Sequence, residues 1–194
     1  MSKGRLEAFS DGVIAVIITI MVLEMKVPHG ADPGALAPLV PVFLAYVLSF
    51  VMLAIYWNNH HHLFHGVQHV TGATLWANMH LLFWLSLIPF TTAWMDDNLF
   101  APIPVAAYGV VLLTCAIAYY ILTRVLLAAH GADSLLARAL GSDRKGRISV
   151  VIYVAALALA FVHAWIALAL YAAVALIWLV PDRRFEKLLA EHKT

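Results

Sequence analysis

Apolar residues fill this chain in long runs, and short polar stretches separate them. A helix needs roughly 20 apolar residues to cross a bilayer, and the runs approach that length. The first covers residues 5–25 and ends at Lys26, Pro28, His29, Gly30, Asp32 and Pro33. The second covers residues 35–57 and continues into the polar Asn58-Asn59-His60-His61-His62. The third covers residues 71–94 and is closed by Met95-Asp96-Asp97-Asn98. The fourth covers residues 104–127, and a polar stretch with His130, Asp133, Arg138, Asp143, Arg144, Lys145 and Arg147 follows it.

The last apolar region, residues 148–180, is long for one span and short for two. Charge placement decides between them. Arg138, Arg144, Lys145 and Arg147 precede the region, and Arg183, Arg184, Lys187 and Lys193 follow it. Cytoplasmic segments are enriched in Lys and Arg, so both flanks belong on the cytoplasmic side. One helix would separate them. Two short helices, at about residues 148–162 and 165–180 with a turn near His163-Ala164-Trp165, keep them together. The expected fold is therefore an all-α integral membrane protein of six transmembrane helices in one domain, residues 1–194. It sits in the cell membrane with both termini on the cytoplasmic side, and residues 181–194 form a cytoplasmic tail. The acidic Asp96-Asp97 loop then faces outside, and Lys26 is the one cation that departs from the bias.

Composition agrees. The chain is 63% hydrophobic and 12% charged, with a mean hydropathy of +0.88, whereas soluble domains carry about 25% charged residues. The run after Lys3 and Arg5 has no small-residue cleavage site of the secretory kind. Cys115 is the only cysteine, so no intrachain disulfide is possible. A net charge of +1 offers nothing to nucleic acid; the partner is the bilayer.

Within the first helix, at about 100° per residue, Phe9, Val16, Ile20 and Leu23 fall on one face with Thr19 at its edge. Asp11 falls on the opposite side, in line with Ile18 and Met25. An ionisable residue at the mouth of a membrane helix is a functional candidate by default. The plain alternative is an interfacial Arg5 that snorkels and an Asp11 favoured by the helix dipole. Arg5 and Asp11 are six residues apart, so they do not pair on the helix and each needs another partner.

The histidines after Trp57 raise metal chemistry. His61 with His65, and His65 with His69, stand four apart, the spacing at which two imidazoles on one helix face can share a transition metal. No cysteine accompanies them, and no carboxylate lies between Asp32 and Asp96. A hydrated helix end explains His61, His62 and His65 as well. In the third helix Asn78 suits a bond to a neighbouring helix, and Pro89 frees a backbone carbonyl and kinks the helix. Glu24, repeated around an oligomer, could gather cations at a mouth, or is a solvated end residue.

Arg5-x-x-x-Phe9-Ser10-Asp11 followed by an apolar helix with Thr19 resembles the transmembrane protein 175 family. Trp57-x-x-His60-x-x-Leu63-Phe64 and Asn78 followed by Pro89-Phe90-Thr91 match the same family. The resemblance covers about the first three helices. It implies a potassium channel without the usual filter, assembled as a homotetramer, with Val16, Thr19, Ile20 and Leu23 of the first helix lining the pore and its constriction. It implies that Arg5, Phe9, Ser10, Asp11, Trp57, His60 and Asn78 form the motif network that holds this helix. Potassium would be the permeant ion, with no cofactor. The family often has a larger apolar residue at the position of Val16.

The chain has no Thr-Val-Gly-Tyr-Gly filter, no phosphate-binding loop, no His-Glu-x-x-His and no hydrolase spacing. No helix carries an arginine row of the voltage-sensing kind. An enzyme is not expected. The competing readings are a proton-coupled transporter using Asp11 and the histidines, and a membrane-embedded His-rich metal-binding protein with His61, His65 and His69 as ligands.

Overall fold

The computed structural model describes residues 1–131, 134–140 and 144–179. The expected tail, residues 181–194, lies outside them, as do Asp133 and Asp143. All regular structure among the described residues is helical: α1 Lys3–Leu23, α2 Val40–His65, α3 Gly72–Leu85, α4 Ile88–Asp97, α5 Pro102–His130, α6 Leu135–Leu140, α7 Arg144–Ala160 and α8 Ala164–Leu179. A 3₁₀ turn, Pro33–Leu39, leads into α2. Four stretches are long and apolar enough to cross a membrane: Lys3–Leu23, Pro33–His65, Gly72–Asp97 and Pro102–His130. Backbone groups in lipid must bond internally, which is why apolar runs of this length become helices.

Three boundaries differ from the sequence expectation. The third segment is two helices, because Pro89 has no N–H to offer the carbonyl of Leu85 and its ring crowds that carbonyl. The chain breaks at Ser86 and Leu87, just before it. The second helix starts late, since Pro33 and Pro38 favour a 3₁₀ turn, but it runs through the histidines to His65. The last apolar region divides at Phe161-Val162-His163 into α7 and α8, and the short α6 was not foreseen.

The core sits between α2, α3–α4 and α5, around Leu53, Phe64, Leu81, Leu85, Ile88 and Leu112. The α7–α8 hairpin closes it from behind, packing on α5 and α2 through Ala156, Ala160, Ala167 and Tyr171. Small residues let helices approach in lipid, where apolar burial alone gives no drive. At Gly109 a Cβ would collide with the Tyr171 hydroxyl, so this crossing requires glycine. α1 packs against α2, α3 and α4 at the edge of this bundle.

Candidate functional site

Because α1 sits at an edge, it shows three different surfaces. Leu6, Ser10, Ile14, Ile17 and Met21 recur every three or four residues and are buried. Phe9, Val16, Ile20 and Leu23 are not, with 48%, 55%, 40% and 80% of their surfaces exposed. Such a row of large apolar side chains is left for lipid or another protein surface. Thr19 is also exposed, and its hydroxyl donates to the Val16 carbonyl at 2.9 Å. The third surface carries Asp11.

A hydrogen-bonded relay crosses the buried surface. His60 Nε2–H donates to Asn78 Oδ1 (2.8 Å), Asn78 Nδ2–H donates to Ser10 Oγ (2.9 Å), and the Ser10 hydroxyl donates to the Leu6 carbonyl (2.9 Å). Ser10, His60 and Asn78 are all buried. The direction is set from one end: the Leu6 carbonyl can only accept, so each upstream group donates in turn. The relay joins α1, α2 and α3, and His60 also stacks on Phe64 at 4.4 Å.

Asp11 is not in that relay. Its Oδ1 accepts from the indole N–H of Trp57 at 2.9 Å, on the exposed side of the α1–α2 contact. Nothing in the sequence pairs these two, because an indole can serve as a belt aromatic anywhere. Arg5 is exposed at the start of α1 and enters neither arrangement.

The proposed metal ligands are separated. His61 and His65 meet edge to face at 4.8 Å, but α2 ends at His65, so His69 leaves that helix face and stacks on His130 at 4.3 Å. Among the described residues no three His, Cys, Asp or Glu side chains gather at metal-holding distance.

Two further features went unforeseen. Ser49 Oγ lies 2.8 Å from Thr92 Oγ1 and 3.0 Å from the Tyr108 hydroxyl, a buried cluster that ties α2, α4 and α5 together. At the far end of α1, Lys26 Nζ pairs with Asp97 at 2.7 Å. That hydrogen bond and the Asp97 charge hold the Lys26 ammonium above its ordinary range. The neighbouring Asp96 has one buried carboxylate oxygen with no hydrogen-bond partner among the described residues. Between α1 and α4 runs an open groove of about 860 Å³, walled by Phe9, Val16 and Ile20 on one side and Ser86, Pro89 and Phe90 on the other.

The chain is similar to known proteins. Residues 5–89 match the family model described as endosomal/lysosomal potassium channel TMEM175. A protein of Chryseobacterium sp. (strain P1-3), named a potassium channel, is 55% identical over 99% of this chain and 100% of its own. A potassium channel of Chamaesiphon minutus is 34% identical over 84% of this chain and 86% of its own. The crystal structure of a lysosomal potassium-selective channel TMEM175 homologue from the same organism superposes with a TM-score of 0.77, at 30% identity, covering 91% of this chain and 95% of that one. The human endosomal/lysosomal proton channel TMEM175 is 32% identical over 61% of this chain, which is 26% of its own length.

Proposed function

This chain belongs to the TMEM175 family, membrane proteins that are ion channels and not enzymes, and from that premise we propose that it conducts potassium along the exposed stripe of α1. The observation that carries the reading is the contrast on that helix. Its back is fixed by Ser10, His60 and Asn78, while Phe9, Val16, Ile20 and Leu23 are left uncovered. One such stripe cannot enclose a path, but four copies around an axis can, so the working unit is a homotetramer. Asp11, turned toward Trp57, then braces the helix from outside the path. α7 and α8 make the fifth and sixth crossings. The cations Arg138, Arg144, Lys145 and Arg147 lie with the N terminus on the cytoplasmic side of the cell membrane.

In this arrangement no carbonyl ring or carboxylate replaces the water around the ion at Ile20 and Leu23. A narrow apolar ring blocks ions by dewetting, and opening widens it for a partly hydrated ion. Potassium sheds water more readily than sodium, so a modest potassium preference follows from dehydration. Thr19 adds hydroxyls at the rim of the stripe. Ile20→Asn or Leu23→Ser hydrates the ring, and in proteoliposomes should raise potassium flux several-fold and reduce the preference over sodium. Unchanged flux and preference in both variants would place the ion path elsewhere. Cysteines at Val16, Ile20 and Leu23 should react with water-borne thiol reagents, whereas modification confined to positions 18 and 25 would mean a rotated helix. The vertebrate relatives are named proton channels, so the assay includes a proton gradient without potassium. Flux in that arm alone would make the permeant ion a proton.

A further inference from the structure

His130, the last residue of α5, is held on both ring nitrogens. Its Nδ1 lies 2.9 Å from the Leu126 carbonyl, and its Nε2 lies 3.0 Å from the Gln68 amide nitrogen and 3.5 Å from that of His69. A carbonyl can only accept and a backbone N–H can only donate. Nδ1 therefore carries the hydrogen, and Nε2 offers its lone pair. The contacts specify a neutral ring of one tautomer.

Gln68 and His69 belong to residues 66–71, the link between α2 and α3, which forms no helix of its own. Its amides need partners from elsewhere, and His130 supplies one acceptor for two of them. The His69 ring covers the latch, stacked on His130 at 4.3 Å and 25°. A proton on Nε2 would turn the acceptor into a donor facing two donors. The closed latch and the imidazolium exclude each other. A charged His69 would add repulsion across the stack. Among the described residues, the other charged side chains on elements packed against this end of α5 are Arg138 on α6 and Arg144, Lys145 and Arg147 at the start of α7. None of these is a carboxylate that would hold an imidazolium in place.

We propose that His130 is a regulatory proton-binding site on the side of the N terminus, and that one proton there releases the α2–α3 link and lowers the current. The link matters because α2 carries Trp57 and His60 and α3 carries Asn78, the groups that hold α1. The effect on current rests on the channel reading above; the release of the link does not. Imidazole is the side chain that gains a proton most readily on mild acidification, so acid is the stimulus that tests the latch.

Hydrogen exchange on the full chain in lipid nanodiscs reads the latch directly. Compared at about pH 8 and about pH 5.5, and corrected for intrinsic exchange, the amides of Gln68 and His69 should lose roughly tenfold protection in acid. His130→Phe should be unprotected at both pH values. His130→Gln, whose side-chain oxygen accepts without titrating, should stay protected at both. Equal protection of the wild type at both pH values overturns the proposal, as does an acid loss that persists in His130→Gln. Potassium flux should fall several-fold when the side bearing the N terminus is acidified, and that fall should vanish in His130→Gln. Flux that ignores acid while the link opens would refute the regulatory part. An absence of flux at any pH would refute the channel reading and leave the latch to the exchange data.

Discussion

The two ends of α1 are held by different chemistry. Near the N terminus, Ser10 and Asp11 bond to side chains of α2 and α3, with the Ser10–Asn78–His60 relay fully buried. Beyond Gly12, among the described residues, the helix packs on its neighbours through apolar side chains: Ile14, Ile17 and Met21, with Val13 and Ile18 partly buried beside them. Its outer end is tied by one ion pair, Lys26 with Asp97, whose side chains are 79% and 60% exposed. A buried polar group that loses its partner has no water to turn to. An exposed ion pair exchanges its partner for water at little cost. Val16, Ile20 and Leu23 of the stripe therefore lie beyond the hydrogen-bonded anchor, and Phe9 lies beside it. In the proposed pore, an anchor at one end would let the stripe shift sideways without losing its register against the bundle.

The largest effect should come from cutting the anchor at its centre. Asn78→Ala removes both central hydrogen bonds and leaves Ser10 and His60 buried without them. Inter-helix hydrogen bonds in membranes average about 0.6 kcal/mol and reach about 1.7, and stranding a buried group adds to that. The expected destabilisation is about 2–3 kcal/mol in a detergent unfolding titration, with loss of flux. A variant as stable as wild type would show that the relay does not anchor α1.

A smaller effect should follow at the exposed bond. Trp57→Phe keeps an aromatic, though smaller, side chain but leaves the Asp11 carboxylate without its donor. Water can reach this side, so the loss should be about 1 kcal/mol or less. Asp11→Asn retains an acceptor for the indole N–H and should cost less still. If Asp11→Asn left the assembly stable but changed which ions pass, the carboxylate would belong to the ion path, not to the brace.

These contrasts were only partly legible in the sequence. Hydropathy located the spanning stretches, because lipid demands long apolar helices whatever the topology. Periodicity separated the outward stripe of Phe9, Val16, Ile20 and Leu23 from Asp11, since that is a property of one helix. Ser10, His60 and Asn78 were named together from the family's motif. That they join in one relay without Asp11 became clear only when α1, α2 and α3 were seen packed. Trp57 with Asp11, Ser49 with Thr92 and Tyr108, and Lys26 with Asp97 are 46, 43, 59 and 71 residues apart in the chain. No local pattern encodes which helices touch. The break before Pro89 was underestimated for a different reason. Proline weakens a helix at a known place, but whether it bends or ends there depends on what replaces the lost bond.

The smallest effect should appear at the outer tether. Lys26→Met removes the cation and keeps most of the stem. The pair is solvent-exposed, so its attraction is screened and two long side chains must be ordered to make it. No change in unfolding midpoint is expected in moderate salt. The pH dependence has a definite sign. The folded-state pKa of Lys26 is raised, chiefly by its hydrogen bond to Asp97. Whatever stability it gives is present below the unfolded lysine value and disappears as the pH rises through the higher folded value. The difference between wild type and Lys26→Met should therefore be small and constant across neutral pH. Any difference should vanish in strong alkali and shrink with added salt. The tether can still bias motion, since a weak contact at the free end of a lever acts where displacement is largest. Exchange protection of residues 20–25 should fall slightly in Lys26→Met at low salt and match wild type at high salt. A loss of stability comparable to that of Asn78→Ala would mean that α1 is anchored at both ends, and the stripe would then have to open by rotation of side chains instead of movement of the helix.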